Sequence, residues 1–207
     1  MAGKRTLIKV TTPIFRVSFP DMFVAKAQTG DDGKPSGEPK FGLVGLFDEA
    51  SQKTPEFKAM QDILRKAAIE KWGVEEAKRL MGTSTFKKAF RPGADKSHME
   101  GYNGPNVVFA SMTTKQKPGL IRADKSPITK DDQSDFYAGC YARATVTAYA
   151  YEKAGNKGVA FGLHNVQKIR DGESFSGRTE ASDDFDEVDD WGEDDAGKQP
   201  ETADNDW

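Results

Sequence analysis

The segment from Cys140 to Tyr151 alternates strictly between two kinds of side chain. Its even positions are all small and apolar, whereas its odd positions carry phenol, guanidinium or hydroxyl groups. Because successive side chains of a strand point to opposite faces, the alternation predicts a strand with one packing face and one polar, aromatic face. Aromatic rings stack on bases of any sequence, and cations bind phosphates. We interpret four residues of this face as candidate contacts for single-stranded nucleic acid: Tyr141, Arg143, Tyr149 and Tyr151.

Two basic segments, 87–93 and 114–133, carry the same residue types. We take nine residues of these segments and of the stretch between them as further candidate DNA contacts: Lys87, Lys88, Phe90, Arg91, Tyr102, Phe109, Lys115, Lys117 and Arg122. The alternative interpretation is structural. In it, the strand tyrosines cover the outside of a barrel or pack on a helix, and the basic loops are only solvated.

The charge of the chain is strongly divided. Residues 179–207 contain 13 acidic residues and one lysine, a net charge of −12, whereas residues 1–178 carry +9. A segment so acidic and so poor in apolar side chains cannot bury enough surface to fold alone. We therefore predict a flexible acidic tail over residues 172–207. Its last residues combine charge with an aromatic ring and are candidate contacts for a partner protein: Asp204, Asp206 and Trp207.

The sequence gives little support for catalysis. His98 and His164 are far apart, and the glycine-rich patterns that bind phosphates in nucleotide enzymes are absent. The acidic clusters fall mostly in the predicted tail, where no rigid metal geometry can be held. We therefore expect a non-enzymatic protein without a metal or other cofactor.

Two further features bear on where the protein works. Cys140 is the only cysteine, so an intramolecular disulfide is impossible, as suits a reducing cytoplasm. No apolar run approaches the roughly 20 residues that span a bilayer, so we expect no membrane contact.

The remaining pattern favours a small β-barrel. Thr54 as N-cap, Pro55 in the first turn and an apolar period of helical spacing predict one helix that continues to Trp72. A break is expected at Pro13, a loop over residues 28–40, and a hairpin turn over residues 155–158. Strands are predicted in five segments: 7–19, 41–47, 106–113, 136–151 and 159–166.

These elements predict a mainly β domain over residues 1–171, with one inserted helix region. An OB-fold-like antiparallel barrel accounts for them economically, and OB-folds bind oligonucleotides on one face. A β-sandwich is the alternative.

Two segments, 139–144 and 157–173, resemble the single-stranded DNA-binding proteins of tailed bacteriophages. The resemblance spans most of the body and extends to an acidic tail of the same kind. It implies an OB-fold barrel that coats single strands during phage DNA replication and recombination in the host cytoplasm. It also implies a tail that competes with DNA and recruits replication proteins such as a polymerase or a helicase. The tail here ends in Trp207, whereas related proteins more often end in Phe.

The residues alone leave a second class of function open. An acidic-tailed interaction or chaperone protein would show the same division of charge without binding DNA. The oligomeric state also stays open, and a homodimer is one alternative.

Overall fold

The computed structural model describes residues 8–29, 35–153 and 155–175, which form eight strands and three α-helices. The helices are α1 (Glu49–Gln52), α2 (Pro55–Trp72) and α3 (Val74–Met81). The strands are β1 (Val10–Thr11), β2 (Phe15–Thr29), β3 (Pro35–Phe47), β4 (Phe90–Pro92), β5 (Val108–Thr114), β6 (Gly119–Ile121), β7 (Tyr141–Lys153) and β8 (Asn156–Arg170).

Five of the strands close into a barrel. β2 pairs with β3, β3 with β5, β5 with β8 and β8 with β7, and β7 pairs back to β2 where Phe15 lies opposite Ala142. The β5–β8 pair is parallel, and the other four pairs are antiparallel. β1 extends along β7, β4 along β5, and β6 along β8. A closed five-stranded barrel is the OB architecture, so this part of the fold prediction is confirmed, with one parallel pair that was not expected.

Most predicted strand positions are confirmed, and the two ends of one predicted loop are strand instead. The chain breaks at Pro13, between β1 and β2, and the β7–β8 hairpin turns at Gly155, which has a φ of +78°. Within the predicted loop, residues 28–29 and 35–40 belong to β2 and β3, which pair as far as Thr29 opposite Pro35. Residues 30–34 lie outside the described residues. Cross-strand pairing outweighs the turn-forming composition of this segment.

The inner face of β7 follows the alternation of the sequence. Ala142, Ala144 and Val146 are at most 2% exposed, and Ala148 is 7% exposed. Small side chains here leave room for the large core residues of the facing strands, such as Phe15 and Phe161. The predicted packing face of this strand is confirmed.

Helix α2 begins and ends where its sequence signals predict. The Thr54 hydroxyl accepts a hydrogen bond from the Phe57 amide at 3.3 Å, and Pro55 occupies the first turn. The helix ends at Gly73, whose amide donates to the Ile69 carbonyl at 2.7 Å. The apolar side of α2 packs against β7 and β8 and buries five residues: Phe57, Met60, Ile63, Leu64 and Ala68.

A second, smaller apolar cluster covers part of the outer face of the barrel. Tyr102 packs there against Leu46 of β3 and Phe109 of β5. Tyr102 is 1% exposed and Phe109 is 0% exposed, and the Tyr102 hydroxyl donates to Ser18 Oγ at 3.2 Å. The prediction that these two aromatic residues contact DNA is therefore wrong, because neither ring has a free face for a base.

The chain packs back on the barrel after β8. Arg16 donates from Nη2 to the Glu173 carbonyl oxygen at 2.7 Å, and its guanidinium carbon lies 4.4 Å from the centre of the Phe175 ring. Gly101 has a φ of +81°, and a Cβ atom there would lie 2.3 Å from that ring. Residues 172–175 thus contact the barrel, beyond the predicted domain boundary at residue 171. The rest of the predicted tail, with Asp204, Asp206 and Trp207, lies outside the described residues.

Candidate nucleic-acid interface

Two tyrosines of β7 lie side by side on the outer surface of the barrel. The ring centres of Tyr149 and Tyr151 are 6.4 Å apart, and Tyr149 is 40% exposed. Burial raises the pKa of the Tyr149 phenol, Tyr151 adds to this increase, and the side chain of Thr113 on β5 opposes it. Tyr149 therefore lies across β8 towards β5, with part of its ring open to solvent.

A glycine of β8, Gly158, allows Tyr151 and the backbone of Lys87 to approach each other closely. Gly158 pairs with Tyr151, and a Cβ atom at residue 158 would lie 2.8 Å from the Tyr151 hydroxyl and 2.6 Å from the Lys87 carbonyl oxygen. The amide of Lys87 donates to the Lys157 carbonyl at 2.9 Å, and its carbonyl accepts from the Val159 amide at 3.1 Å. The backbone of Lys87 is thus fixed beside the start of β8, next to the tyrosines.

Lysines from several elements converge at the same end of the barrel. Lys115, just after β5, forms an ion pair with Glu38 of β3. The charges of Lys40 and Lys153 also lower the pKa of Glu38, so both lie near it. Lys157 pairs with Glu152 at 3.5 Å on the β7–β8 hairpin. We call this group the hairpin-end surface and define it by seven residues: Lys40, Lys87, Lys115, Tyr149, Tyr151, Lys153 and Lys157.

Three lysines of this surface were missed from the sequence. Lys153 and Lys157 flank the predicted turn on the same hairpin as the tyrosines, and that position was the available signal. Lys40 was assigned to a loop and so had no predicted neighbour. The predicted contacts Lys88 and Lys117 are both exposed, with no ion pair to a carboxylate in the described part of the chain.

The other two candidates on β7 belong to a separate surface. Tyr141 lies between Arg16 of β2 and Arg170 of β8, whose guanidinium carbons are 5.5 Å and 3.5 Å from its ring centre. Arg143 donates from Nε to Gln167 Oε1 at 2.9 Å. These four charged or aromatic residues line a concavity of about 750 Å³. Two guanidinium groups already contact the ring of Tyr141. The ring is therefore better placed to orient these arginines than to stack on a base.

The predicted continuous face along β7 is therefore divided in two. Between the two surfaces, the Thr147 side chain is 5% exposed and hydrogen-bonds with His164 Nε2 at 3.2 Å. Tyr141 and Tyr149 are eight residues apart, which is roughly 26 Å along an extended strand. The sequence alternation places these side chains on one face but does not show that this face is interrupted.

Phe90 and Arg122 have structural roles, which argue against their assignment as DNA contacts. The Phe90 ring centre lies 4.6 Å from that of Phe57 and 5.3 Å from that of Phe161, so it packs into the main core. Arg122 donates from Nη2 to Asp135 Oδ2 at 2.5 Å and from Nη1 to the Pro127 carbonyl at 2.8 Å. Its guanidinium therefore closes the loop after β6.

No candidate metal centre is found in the described part of the chain. No group of three or more His, Cys, Asp or Glu residues there is placed to hold a metal ion. Burial raises the pKa of the Cys140 thiol to about 11, so it is not a nucleophile near neutral pH. None of the described helices is both long and apolar enough to cross a membrane.

A five-stranded barrel with partly exposed tyrosines and converging lysines on its outer surface is the architecture of an OB-fold oligonucleotide-binding domain. A family model described as "Enterobacter phage Enc34, ssDNA-binding protein" matches residues 8–196. The chain therefore belongs to this family, and the resemblance to phage single-stranded DNA-binding proteins is confirmed. The protein p50 of Acyrthosiphon pisum secondary endosymbiont phage 1 is 29% identical over 185 residues, which cover 87% of this chain and 94% of p50.

Two solved structures share the fold. The single-stranded DNA-binding protein from bacteriophage Enc34, in complex with ssDNA, has a TM-score of 0.60 and 18% identity, over 81% of this chain and 89% of that chain. The gp2.5 single-stranded DNA-binding protein of bacteriophage T7 has a TM-score of 0.52 and 13% identity, over 83% of this chain and 97% of that chain. At these identities the likeness is one of fold.

Proposed function

We propose that this protein binds single-stranded DNA with little sequence preference, and that the hairpin-end surface is its principal contact. One observation carries the assignment: the Tyr149–Tyr151 pair, of which Tyr149 is 40% exposed, lies at the end of the barrel where lysines from four separate parts of the chain converge. Its membership of a family of single-stranded DNA-binding proteins supports the same function. We propose that the protein only binds DNA and has no catalytic activity.

The chemistry of this surface accounts for single-strand preference. Tyr149 and Tyr151 offer rings to bases, and bases expose their faces only when they are not stacked in a duplex. The lysines bind phosphates, and each phosphate contact releases counterions from the DNA. Because neither kind of contact reads base edges, affinity depends on salt and strand state more than on sequence.

We also propose that the acidic segment 179–207 regulates this binding. Its charge of −12 resembles that of a phosphate backbone, and its covalent link to the +9 body gives it a high effective concentration there. It would compete with DNA at low salt and recruit a replication protein, with Trp207 as an apolar anchor. This part of the proposal rests on charge and composition.

A titration tests the proposed function directly. A fluorescein-labelled oligo-dT and a labelled duplex of the same length are titrated with wild-type protein at several salt concentrations. We expect tighter binding of the single strand, and a logarithmic salt slope of roughly −0.7 per phosphate contact. Equal affinity for duplex and single strand at the same salt would contradict the proposal.

Variants then locate the contact. The double variant Tyr149→Ala/Tyr151→Ala should bind oligo-dT much more weakly, by about 1–3 kcal/mol for each ring that stacks on a base. Val74→Ala, an exposed apolar position on α3, serves as the control and should bind as wild type does. If the folded double variant also binds as wild type does, the principal contact lies elsewhere on the barrel.

A further inference from the structure

The side chain of Phe19 on β2 lies on the outer face of the barrel, although alternation along the strand predicts the inner face. Phe15 and Val17 are at most 1% exposed in the core, and simple alternation would place Phe19 beside them. Instead, the pairing of β2 with β3 shifts register between Ser18 and Asp21, and Phe19 has a φ of +48°. This bulge turns the ring to the outer surface, where Phe19 is 46% exposed.

The conformation of Phe19 is costly and calls for a physical reason. A positive φ is unfavourable for every residue with a Cβ atom, and a bulky residue there is a clear outlier. Exposing a large apolar ring on the surface gains no burial in return. Conformations of this kind concentrate at functional sites, where the surrounding structure holds a side chain in a required position.

Two cations share the surface with Phe19. Lys96 Nζ lies 5.1 Å from the centre of the Phe19 ring and 5.6 Å from the centre of the buried Phe109 ring. The Arg91 guanidinium carbon lies 4.4 Å from the centre of the same Phe109 ring. Arg91 pairs with Phe109 across β4 and β5, which fixes it on the outer face.

These cations have no negative partner in the part of the chain that the structure describes. Neither Arg91 nor Lys96 forms an ion pair with a carboxylate there, although each lies near the other. Both burial and the charge of Arg91 lower the pKa of Lys96, so the two cations repel each other in the free protein. An anion bound between them would relieve this repulsion.

We propose that Phe19, Arg91 and Lys96 form a second contact for single-stranded DNA, in which the Phe19 ring stacks on a base and the two cations bind the adjoining phosphates. The inference rests on the proposed function and extends it along the barrel. β5 connects the two contacts: Phe109 lies under Arg91 and Lys96, and Thr113 contacts Tyr149. Phe109 and Thr113 are four positions apart, roughly 13 Å along the strand.

The outer face of β5 is open between these contacts only in part. Ser111 lies between Phe109 and Thr113 on the same face and is exposed. At Phe109 the face is covered by the cluster around Tyr102. A single strand that contacts both Tyr149 and Phe19 would therefore pass over Ser111 and then beside this cluster.

The test uses three kinds of variant of the full chain with labelled oligo-dT. Phe19→Ala should weaken binding by about 5- to 150-fold without changing the salt slope, because a stacking ring is removed. The Arg91→Ala/Lys96→Ala variant should weaken binding and flatten the slope by roughly 0.7 per phosphate contact. Val24→Ala is the matched control, since this exposed apolar residue lies on the same strand, and it should bind as wild type does.

A glycine variant separates binding from folding. Phe19→Gly removes the ring but suits the positive φ, so it should raise Tm while weakening DNA binding as much as Phe19→Ala does. Wild-type affinity in both Phe19 variants would overturn the second contact. If they keep full affinity while Tyr149→Ala/Tyr151→Ala loses it, only this inference fails. If the wild-type chain does not bind oligo-dT, the proposed function itself fails.

Discussion

The guanidinium carbon of Arg170 lies 3.5 Å from the centre of the Tyr141 ring, its neighbour across β7 and β8. Arg16 approaches the same ring from β2, at 5.5 Å. Tyr149, on the same strand, contacts another tyrosine and is 40% exposed. Two tyrosines with the same place in the sequence alternation thus have different surroundings, and we expect them to respond differently to substitution.

Single substitutions of these two tyrosines should separate DNA binding from stability. Tyr149→Ala should weaken oligo-dT binding by about 1–3 kcal/mol with little change in Tm, because it removes an exposed stacking ring. Tyr141→Ala should lower Tm, because the ring supports Arg16, which in turn holds the Glu173 carbonyl. Fluorescence anisotropy and thermal unfolding measure the two effects. Equal reductions of affinity in both variants at unchanged Tm would show that the two rings have the same role.

Lysines of the hairpin-end surface should determine how strongly the affinity for single-stranded DNA depends on salt. The variant Lys153→Ala/Lys157→Ala should flatten the logarithmic salt slope by roughly 0.7 for each phosphate that is no longer bound, and affinity should fall most at low salt. Lys58→Ala/Lys66→Ala also removes two exposed lysines, both on α2, and is the charge-matched control. Titrations at four salt concentrations give both slopes. An unchanged slope in the hairpin variant would remove these lysines from the interface.

The sequence predicts those parts of the fold that depend on local order. The alternation in β7 predicts its buried face, and Thr54 and Gly73 mark the ends of α2 because capping is a local interaction. Tyr102 could not be assigned in this way. It is buried because its segment folds over the outer face of β3 and β5, a contact distant in the sequence. The local sequence around a tyrosine in an irregular, basic segment is the same whether its ring is buried or exposed to solvent.

The candidate site was harder to predict than the fold for the same reason. Arg122 looks like any other cation of a basic loop until Asp135 is found beside it. Phe19 was missed because its outward position arises from a bulge, and no glycine marks the positive φ. Residue type therefore indicates what a side chain can bind, whereas only the tertiary structure shows whether it is free to do so.

Substitution of Arg122 should affect stability and leave DNA binding intact. Arg122→Ala removes the bonds to Asp135 and to the Pro127 carbonyl, so we expect a lower Tm. The affinity of the folded fraction for oligo-dT should equal that of wild type. Asp135→Asn should lower Tm in the same direction while removing no positive charge, which makes it the control. A weaker affinity in Arg122→Ala alone, at unchanged Tm, would return this arginine to the interface.

Cys140 should report on unfolding. Burial raises the pKa of its thiol from 9.0 to about 11, so the folded state retains the proton more strongly than the unfolded state does. The resulting stabilisation is fully present below pH 9.0 and is lost as the pH rises through about 11. At about pH 8, iodoacetamide should react with native protein far more slowly than with denatured protein. Rapid alkylation of native protein at that pH would show that the thiol is accessible.

Removal of residues 179–207 should tighten DNA binding most at low salt. The segment carries −12 against the +9 of the rest of the chain, and a short tether gives it an effective concentration of roughly millimolar order. The screening length is ~10 Å at about 0.1 M salt and shortens further as salt rises, so the gain in affinity should shrink. Oligo-dT titrations of full-length and truncated protein across a salt series measure the effect.

Two matched variants separate the charge of this segment from its length and from its terminal ring. A full-length chain with the 13 acidic residues changed to their amides should bind DNA as the truncated protein does, because charge rather than bulk causes the competition. Trp207→Ala keeps every charge, so its DNA affinity should match wild type while its binding to a replication polymerase or helicase weakens. Unaltered low-salt affinity after truncation would remove the competitor role. Full partner binding by Trp207→Ala would remove the anchor and leave electrostatics alone to account for recruitment.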